Sequence, residues 1–261
     1  MRKMLFTIIA LFLIAACATT QPAPNSTPLS PTAIPTPIPT VTPVEVLFIG
    51  NSITYWNLGL DYYMEQLTGA AIPPLVIQTK SLANPDWTLE DHWEFSITHD
   101  AINEGNYDVV VLQSYIPYAG VETFQEYVRK FITESKNAGA EPVLFMPGHD
   151  YYRELYTMDE IAQAHFDIGL ELGVDIAPVG LAWKRAMEER PELDMYYKDK
   201  IHPSVYGHYL AASVVYATVF GESPVGLTYL PSEGFGIDMT EEEAAFLQRI
   251  AWETVQEYQA Q

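Results

Sequence analysis

Three residues of this chain have the types and spacing for covalent chemistry. Ser52 ends the turn Gly50-Asn51-Ser52 after the apolar run Val44-Glu45-Val46-Leu47-Phe48-Ile49, and Asp199 and His202 stand three apart in a polar turn before Pro203. A serine hydroxyl becomes a nucleophile when an imidazole takes its proton, and a carboxylate on the far ring nitrogen keeps that imidazole in the right tautomer. The spacing lets Asp199 hold one nitrogen of His202 while the other faces outward. Each residue also has a plainer use. Ser52 could cap a helix, and Asp199 and His202 could be surface groups near a helix start.

The elements that must position these residues follow from hydrophobic pattern. Val44 to Ile49 reads as a buried parallel strand that hands over to a helix at Gly50-Asn51-Ser52. A serine there sits at the carboxyl end of a sheet with its backbone N–H at a helix N-terminus, where negative charge is favoured. Further strands are expected at Pro74–Thr79, Tyr107–Gln113, Val143–Met146 and Val174–Ala177. Helices are expected from about 60 to 69, 89 to 103, through Phe124, Val128, Phe131 and Ile132 to a stop near Gly139, and over 158–172, 180–190 and 203–220. Thr240 and Glu243 make a capping box for a last helix. Strands alternating with helices imply an α/β fold with a parallel sheet covered on both faces. The strand-end loops Asn51-Ser52, Ala83-Asn84, Gln113-Ser114 and Gly148-His149 should then meet in one crevice, joined by Lys198–Ser204.

Taken together, the Gly50-Asn51-Ser52 turn, Asp199-x-x-His202-Pro203 and the run Gly207-His208-Tyr209-Leu210-Ala211-Ala212 resemble the first and last blocks of the SGNH, or GDSL-like, hydrolase superfamily. The resemblance spans residues 44–261 and implies a three-layer α/β/α sandwich of flavodoxin-like type that hydrolyses esters, often acyl or acetyl groups on a sugar or lipid. It implies Ser52 as nucleophile, His202 as general base and Asp199 as its orienting partner. It further implies an oxyanion hole made by the Ser52 N–H, a backbone N–H of the second block and a side-chain amide of the third. The chain departs from the pattern in three places: Asn51 replaces the commoner Asp, Ala83 or Asn84 stands where the second block has glycine, and Gln113-Ser114-Tyr115-Ile116 replaces Gly-x-Asn-Asp. Gln113 either supplies the amide or bonds loop backbone.

Candidates for the substrate pocket are Asn51, Trp87, Tyr115 and His149, the last alternatively a solvated loop histidine. Tyr55, Trp56, Trp87, Trp93 and Tyr115 gather around the crevice loops, where aromatic rings either stack on sugars or pack the core. His92, His99, His165 and His208 lack metal-ligand spacing, so no metal or other cofactor is expected.

The N-terminal stretch reads as export machinery. Arg2 and Lys3 precede an apolar run from Met4 to Ala16 that is too short to span a bilayer, so residues 1–16 are expected to be a signal peptide. Ile14-Ala15-Ala16-Cys17 resembles a bacterial lipobox, with the single cysteine of the chain, Cys17, as lipidation site; the alternative is ordinary secretion with an idle thiol. Residues 21–43 hold eight prolines, five threonines and no charge, a tether rather than a core. This leaves 44–261 as the catalytic domain, on an exported protein anchored at the extracytoplasmic face.

The chain carries 34 acidic and 13 basic residues; without Arg2 and Lys3 it has 34 against 11, a charge of −23. Such a surface repels nucleic acid and anionic headgroups. Short, polar, aromatic crevice loops then suit a neutral glycan ester with a small acyl group. Three other readings remain at this stage: a non-catalytic glycan-binding lipoprotein on the same fold, a lipase- or thioesterase-like enzyme, and a flavodoxin-like nucleotide or phosphate binder. The last has no Gly-rich loop after the first strand to support it.

Overall fold

The computed structural model of the chain describes residues 42–148, 154–231 and 238–259. Signal peptide, Cys17, all but the end of the tether, and His149 lie outside the described residues. Five strands, β1 (Val44–Gly50), β2 (Ile77–Ala83), β3 (Val109–Gln113), β4 (Glu141–Phe145) and β5 (Asp175–Ala177), form one sheet in the order β2-β1-β3-β4-β5. Every pairing is parallel. This is the flavodoxin-like strand order, whose connections reverse direction between β1 and β3 and open a crevice there.

Side chains alternate across the sheet, so each strand feeds two cores. Val46 and Phe48 of β1, Val109 and Val111 of β3, and Val143 and Phe145 of β4 meet α2 (Gly59–Gly69), α8 (Val179–Glu189), α9 (Val205–Phe220) and α10 (Glu241–Gln259). Leu47, Ile49, Val110, Leu112 and Leu144 point the other way. They pack on α3 (Leu89–Trp93), α4 (Ser96–Glu104), α6 (Val121–Ala138) and α7 (Met158–Leu172). The result is the three-layer α/β/α sandwich, completed by two single-turn helices, α1 (Ser52–Tyr55) and α5 (Ile116–Ala119). Helix α9 is apolar on all sides because its neighbours α2, α8 and α10 enclose it. No helix among the described residues is long and apolar enough to cross a membrane.

The structure corrects three expectations. The second strand runs over Ile77–Ala83 rather than 74–79, since Pro73 and Pro74 carry no N–H for a ladder and β1 offers partners as far as Gly50, which pairs with Ala83. The segment 89–103 is two helices instead of one. Phe95 takes extended backbone between them (φ −112°, ψ 110°), and Thr88 with Asp91 closes a capping box on α3. The turn α5 had no periodic signal; Pro117 starts it in the helix's first turn, where a missing N–H costs nothing.

Candidate active site

The turn that carries Ser52 is built where β1 ends. Asn51 caps α1 with its Oδ1, accepting from Ile53 N at 3.1 Å, while its Nδ2 donates to the Trp87 carbonyl at 3.0 Å. Gln113, at the end of β3, accepts from Asn51 N at 2.9 Å and from Thr54 Oγ1 at 3.0 Å through a single oxygen. This crowding explains Gly50: a Cβ there would lie 2.3 Å from Thr54 Oγ1 and 2.6 Å from Gln113 Oε1. The Gly50 carbonyl accepts from His92 Nε2 at 2.7 Å, and the Ile53 carbonyl from His208 Nε2 at 3.1 Å. Burial holds both imidazoles below the usual histidine range, His208 down to about 4, so each is neutral with its proton on Nε2. Ser52 is thereby fixed as the first residue of α1. Its own N–H, in the first turn, has no carbonyl one helical turn behind it to bond.

Asp199 and His202 come from a tight turn before α9. Asp199 Oδ1 accepts from the backbone N–H groups of Ile201 and His202, both at 2.9 Å, and Oδ2 lies 2.8 Å from His202 Nδ1. Lys200 takes a left-handed conformation (φ 61°) between them, which lets the chain fold the ring back onto the carboxylate. Tyr197 N donates to the His202 carbonyl at 2.6 Å, and Ser204 caps α9 by accepting from Gly207 N at 3.1 Å. Gly207 has no room for a side chain, because a Cβ would sit 2.1 Å from the Met195 carbonyl. Burial alone would raise the pKa of Asp199, but the hydrogen bonds from His202 and the two backbone N–H groups outweigh it and hold the carboxyl below its usual value. Asp199 is thus an anion that fixes the His202 proton on Nδ1 and leaves Nε2 as the free acceptor.

Ser52 and His202 line one cavity of about 60 Å³, with Asn51, Ile53, Asp86, Tyr115, Tyr118 and Ile201. The two side chains share no hydrogen bond, as is common before a substrate tightens such contacts. The structure thus brings together Asn51, Ser52, Tyr115 and His202 around the cavity, with Asp199 directly behind His202. It does not bring Ala83, Asn84, Gln113 or Trp87 to the cavity wall. The Asn84 N–H donates to the Gly50 carbonyl at 3.3 Å, extending the β1–β2 ladder, and Ala83 belongs to β2 itself. Trp87 packs edge-on against His92 and Phe95 and contributes its carbonyl to Asn51. Trp93 lies against His99 and Phe131, in the other core. Gln113 is buried; its oxygen braces the nucleophile turn, and its Nε2 has no partner among the described residues.

Two residues at the site were not singled out by the sequence. Asp86 reaches the cavity from the β2 loop in left-handed backbone (φ 60°), a conformation aspartate tolerates better than most residues; the Asn84-Pro85-Asp86 turn was the available signal. Tyr118 arrives on α5, edge-on to Tyr115.

No protein-family model matches the sequence, and no curated protein sequence matches it. Solved structures do. A protein of Slackia heliotrinireducens assigned as an SGNH hydrolase aligns over 68% of this chain and 100% of its own, at 22% identity and a TM-score of 0.58. A DUF4886 family protein of Bacteroides uniformis aligns over 82% and 95%, at 14% identity and a TM-score of 0.69. Axe2, an acetylxylan esterase from Geobacillus stearothermophilus, aligns over 66% and 92%, at 22% identity and a TM-score of 0.54. At such identities the likeness is one of fold: the chain shares the three-layer α/β/α fold of these proteins.

Proposed function

We propose that the protein is a serine esterase that removes acetyl or other short acyl groups, with carbohydrate as the carrier, and that it works outside the cytoplasm on a lipid anchor at Cys17. The observation that carries the esterase reading is the Asp199–His202 hydrogen bond of 2.8 Å beside a cavity that Ser52 shares, at the crevice between β1 and β3. His202 Nε2 takes the Ser52 proton as Oγ attacks the ester carbonyl, and Asp199 stabilises the imidazolium that forms. The oxyanion meets the Ser52 N–H, the leaving alcohol takes the proton from His202, and water repeats the sequence to free the acid. General-base help of this kind is worth about 10²–10⁴ in rate.

The cavity supports the choice of acyl group. A cavity of about 60 Å³ suits an acetyl group better than an octanoyl chain. Tyr118 at the cavity and Tyr197 beyond His202, both exposed, suit a neutral sugar with their rings and hydroxyls. The test compares kcat/KM for p-nitrophenyl acetate and octanoate, with acetate release from acetylated oligosaccharides. Each buried methylene is worth about 0.8 kcal/mol, so a real acyl groove would favour octanoate by orders of magnitude. Acetate preference that vanishes in Ser52→Ala is expected. An octanoate preference without acetate release refutes the carbohydrate reading, and activity retained in Ser52→Ala refutes the triad. Membrane partitioning that Cys17→Ser abolishes is the corresponding test of the anchor.

A further inference from the structure

Nucleophile and base lie on segments far apart in sequence, and no hydrogen bond joins Ser52 to His202. Besides the His208 bond to the Ile53 carbonyl, what joins the segments is residues 56 and 57. The Trp56 N–H donates to the Ser52 carbonyl at 2.9 Å and closes the single turn of α1. The Trp56 indole stacks on the His202 imidazole, with ring centroids 4.0 Å apart and planes 16° from parallel. Asn57 Nδ2 then donates to the Pro203 carbonyl at 2.8 Å. Tyr197 supports the outer side of the indole at 5.9 Å, tilted by 56°.

The backbone is bent to make this possible. Asn57 and Leu58 both occupy left-handed conformations (φ 47° and 74°), followed by Gly59 at φ 89°. Such a run is unfavourable for residues with a Cβ and persists only where the surroundings over-determine it. Here it turns the chain so that both side chains land on successive residues of the base-bearing turn, His202 and Pro203.

We infer that Trp56 and Asn57 form a clasp that positions the His202 ring relative to Ser52, a positioning role that rests on the esterase reading of the site. Trp56 does not line the cavity, so its effect passes through His202 and not through contact with the acyl group. Misplacing a catalytic group by about 1 Å can cost about 10²-fold in rate. The indole defines one side of the ring, and the Asn57 amide ties the carbonyl of the next residue.

The experiment uses the full chain and p-nitrophenyl acetate. Trp56→Leu is expected to lower kcat by about 10²-fold while KM stays within roughly twofold. Trp56→Phe, which keeps a ring to stack, should recover most of the loss. Asn57→Gly, which keeps the left-handed backbone and removes the amide, should lower kcat in the same sense. In a His202→Ala background the Trp56→Leu loss should disappear, since a residue acting through an absent ring has nothing to position. In NMR spectra the His202 ring protons should lie upfield in wild type and in Ser52→Ala, and should lose that shift in Trp56→Leu. A Trp56→Leu enzyme with wild-type kcat, a loss confined to KM, or a loss of equal size in the His202→Ala background overturns the clasp while leaving the triad standing. Full activity in Ser52→Ala overturns the esterase reading, and the clasp with it.

Discussion

Replacing Asp199 by asparagine should disable the enzyme without unfolding the turn that carries it. Asp199 Oδ1 accepts two backbone N–H groups at 2.9 Å, and Oδ2 faces His202 Nδ1 at 2.8 Å. An asparagine in the same place must choose which side receives its carbonyl oxygen. Turning the NH2 toward Ile201 and His202 would set donors against two backbone donors, so the oxygen stays there and the NH2 faces Nδ1. Nδ1 must then be an acceptor, the ring proton moves to Nε2, and Nε2 can no longer take the Ser52 proton. A Ser-His-Asp site in the wrong tautomer loses about 10⁴ in kcat. At 1.36 kcal/mol per tenfold this is about 5.5 kcal/mol of barrier. The turn's own hydrogen bonds survive, so the melting temperature should shift little. Measuring kcat on p-nitrophenyl acetate beside a thermal melt checks both halves. A well-folded Asp199→Asn enzyme that keeps about a tenth of wild-type kcat would refute the tautomer argument.

Two further outcomes follow from the brace and from the surface. Gln113→Leu removes the single oxygen that satisfies Asn51 N and Thr54 Oγ1 in a buried site, at about 1–3 kcal/mol for each group left unpaired; urea unfolding should show the loss, and a change below about 1 kcal/mol would refute the bracing role. His99 sets Nδ1 against Glu134 at 2.9 Å and Nε2 against the Trp93 carbonyl at 2.6 Å, which requires a proton on both nitrogens. Burial would lower its pKa, but the Trp93 and Glu134 hydrogen bonds outweigh it and raise it above 6.5. A raised histidine contributes stability that is complete below the unfolded value and lost as pH rises through the folded one. Thermal melts should therefore show wild type losing stability from about pH 6.5 upward relative to His99→Gln, and parallel curves would refute the ion pair.

The legible parts of this chain were those whose signals are local. The buried runs of β1 and β3 need no partner to be recognised, and the three-residue spacing of Asp199 and His202 allows the hydrogen bond that joins them. Strand β2 was harder because it is an edge strand: Ile77-Gln78-Thr79-Lys80-Ser81 alternates between half-buried and exposed positions, and its polar half reads as loop. Its true limits come from the ladder with β1, a non-local fact. Two of the oxyanion candidates, Ala83 and Asn84, lie off the cavity wall for the same reason. Nothing in Ala83 or Asn84 says that β1 claims the Asn84 N–H, or that Asp86 reaches the cavity in their place. Asn57 gave no signal because its significance lies in a carbonyl far along the chain.

What separates His202 from the other described histidines is the partner that each nitrogen finds. His92, His99, His165 and His208 each place a nitrogen on a backbone carbonyl, of Gly50, Trp93, Ile161 and Ile53 respectively. A carbonyl only accepts, so that nitrogen must carry the proton. In His92 and His208 this serves to pin the carbonyls on either side of Ser52. Both are buried with lowered pKa, so neutral rings pin the turn throughout the range in which a base near neutrality would work. His165 spends its bond within α7 and is likewise neutral, held down to about 4 by burial. His99 has acceptors on both sides, which favour its cationic form. Among the described histidines, His202 alone gives its proton to a carboxylate through one nitrogen and keeps the other, unbonded to protein, beside a cavity that holds a serine. That nitrogen can take up and release a proton without breaking any bond that holds the fold. General-base work at a serine demands that freedom of an imidazole, and under the proposed esterase reading His92 and His208 hold rigid the turn against which His202 acts.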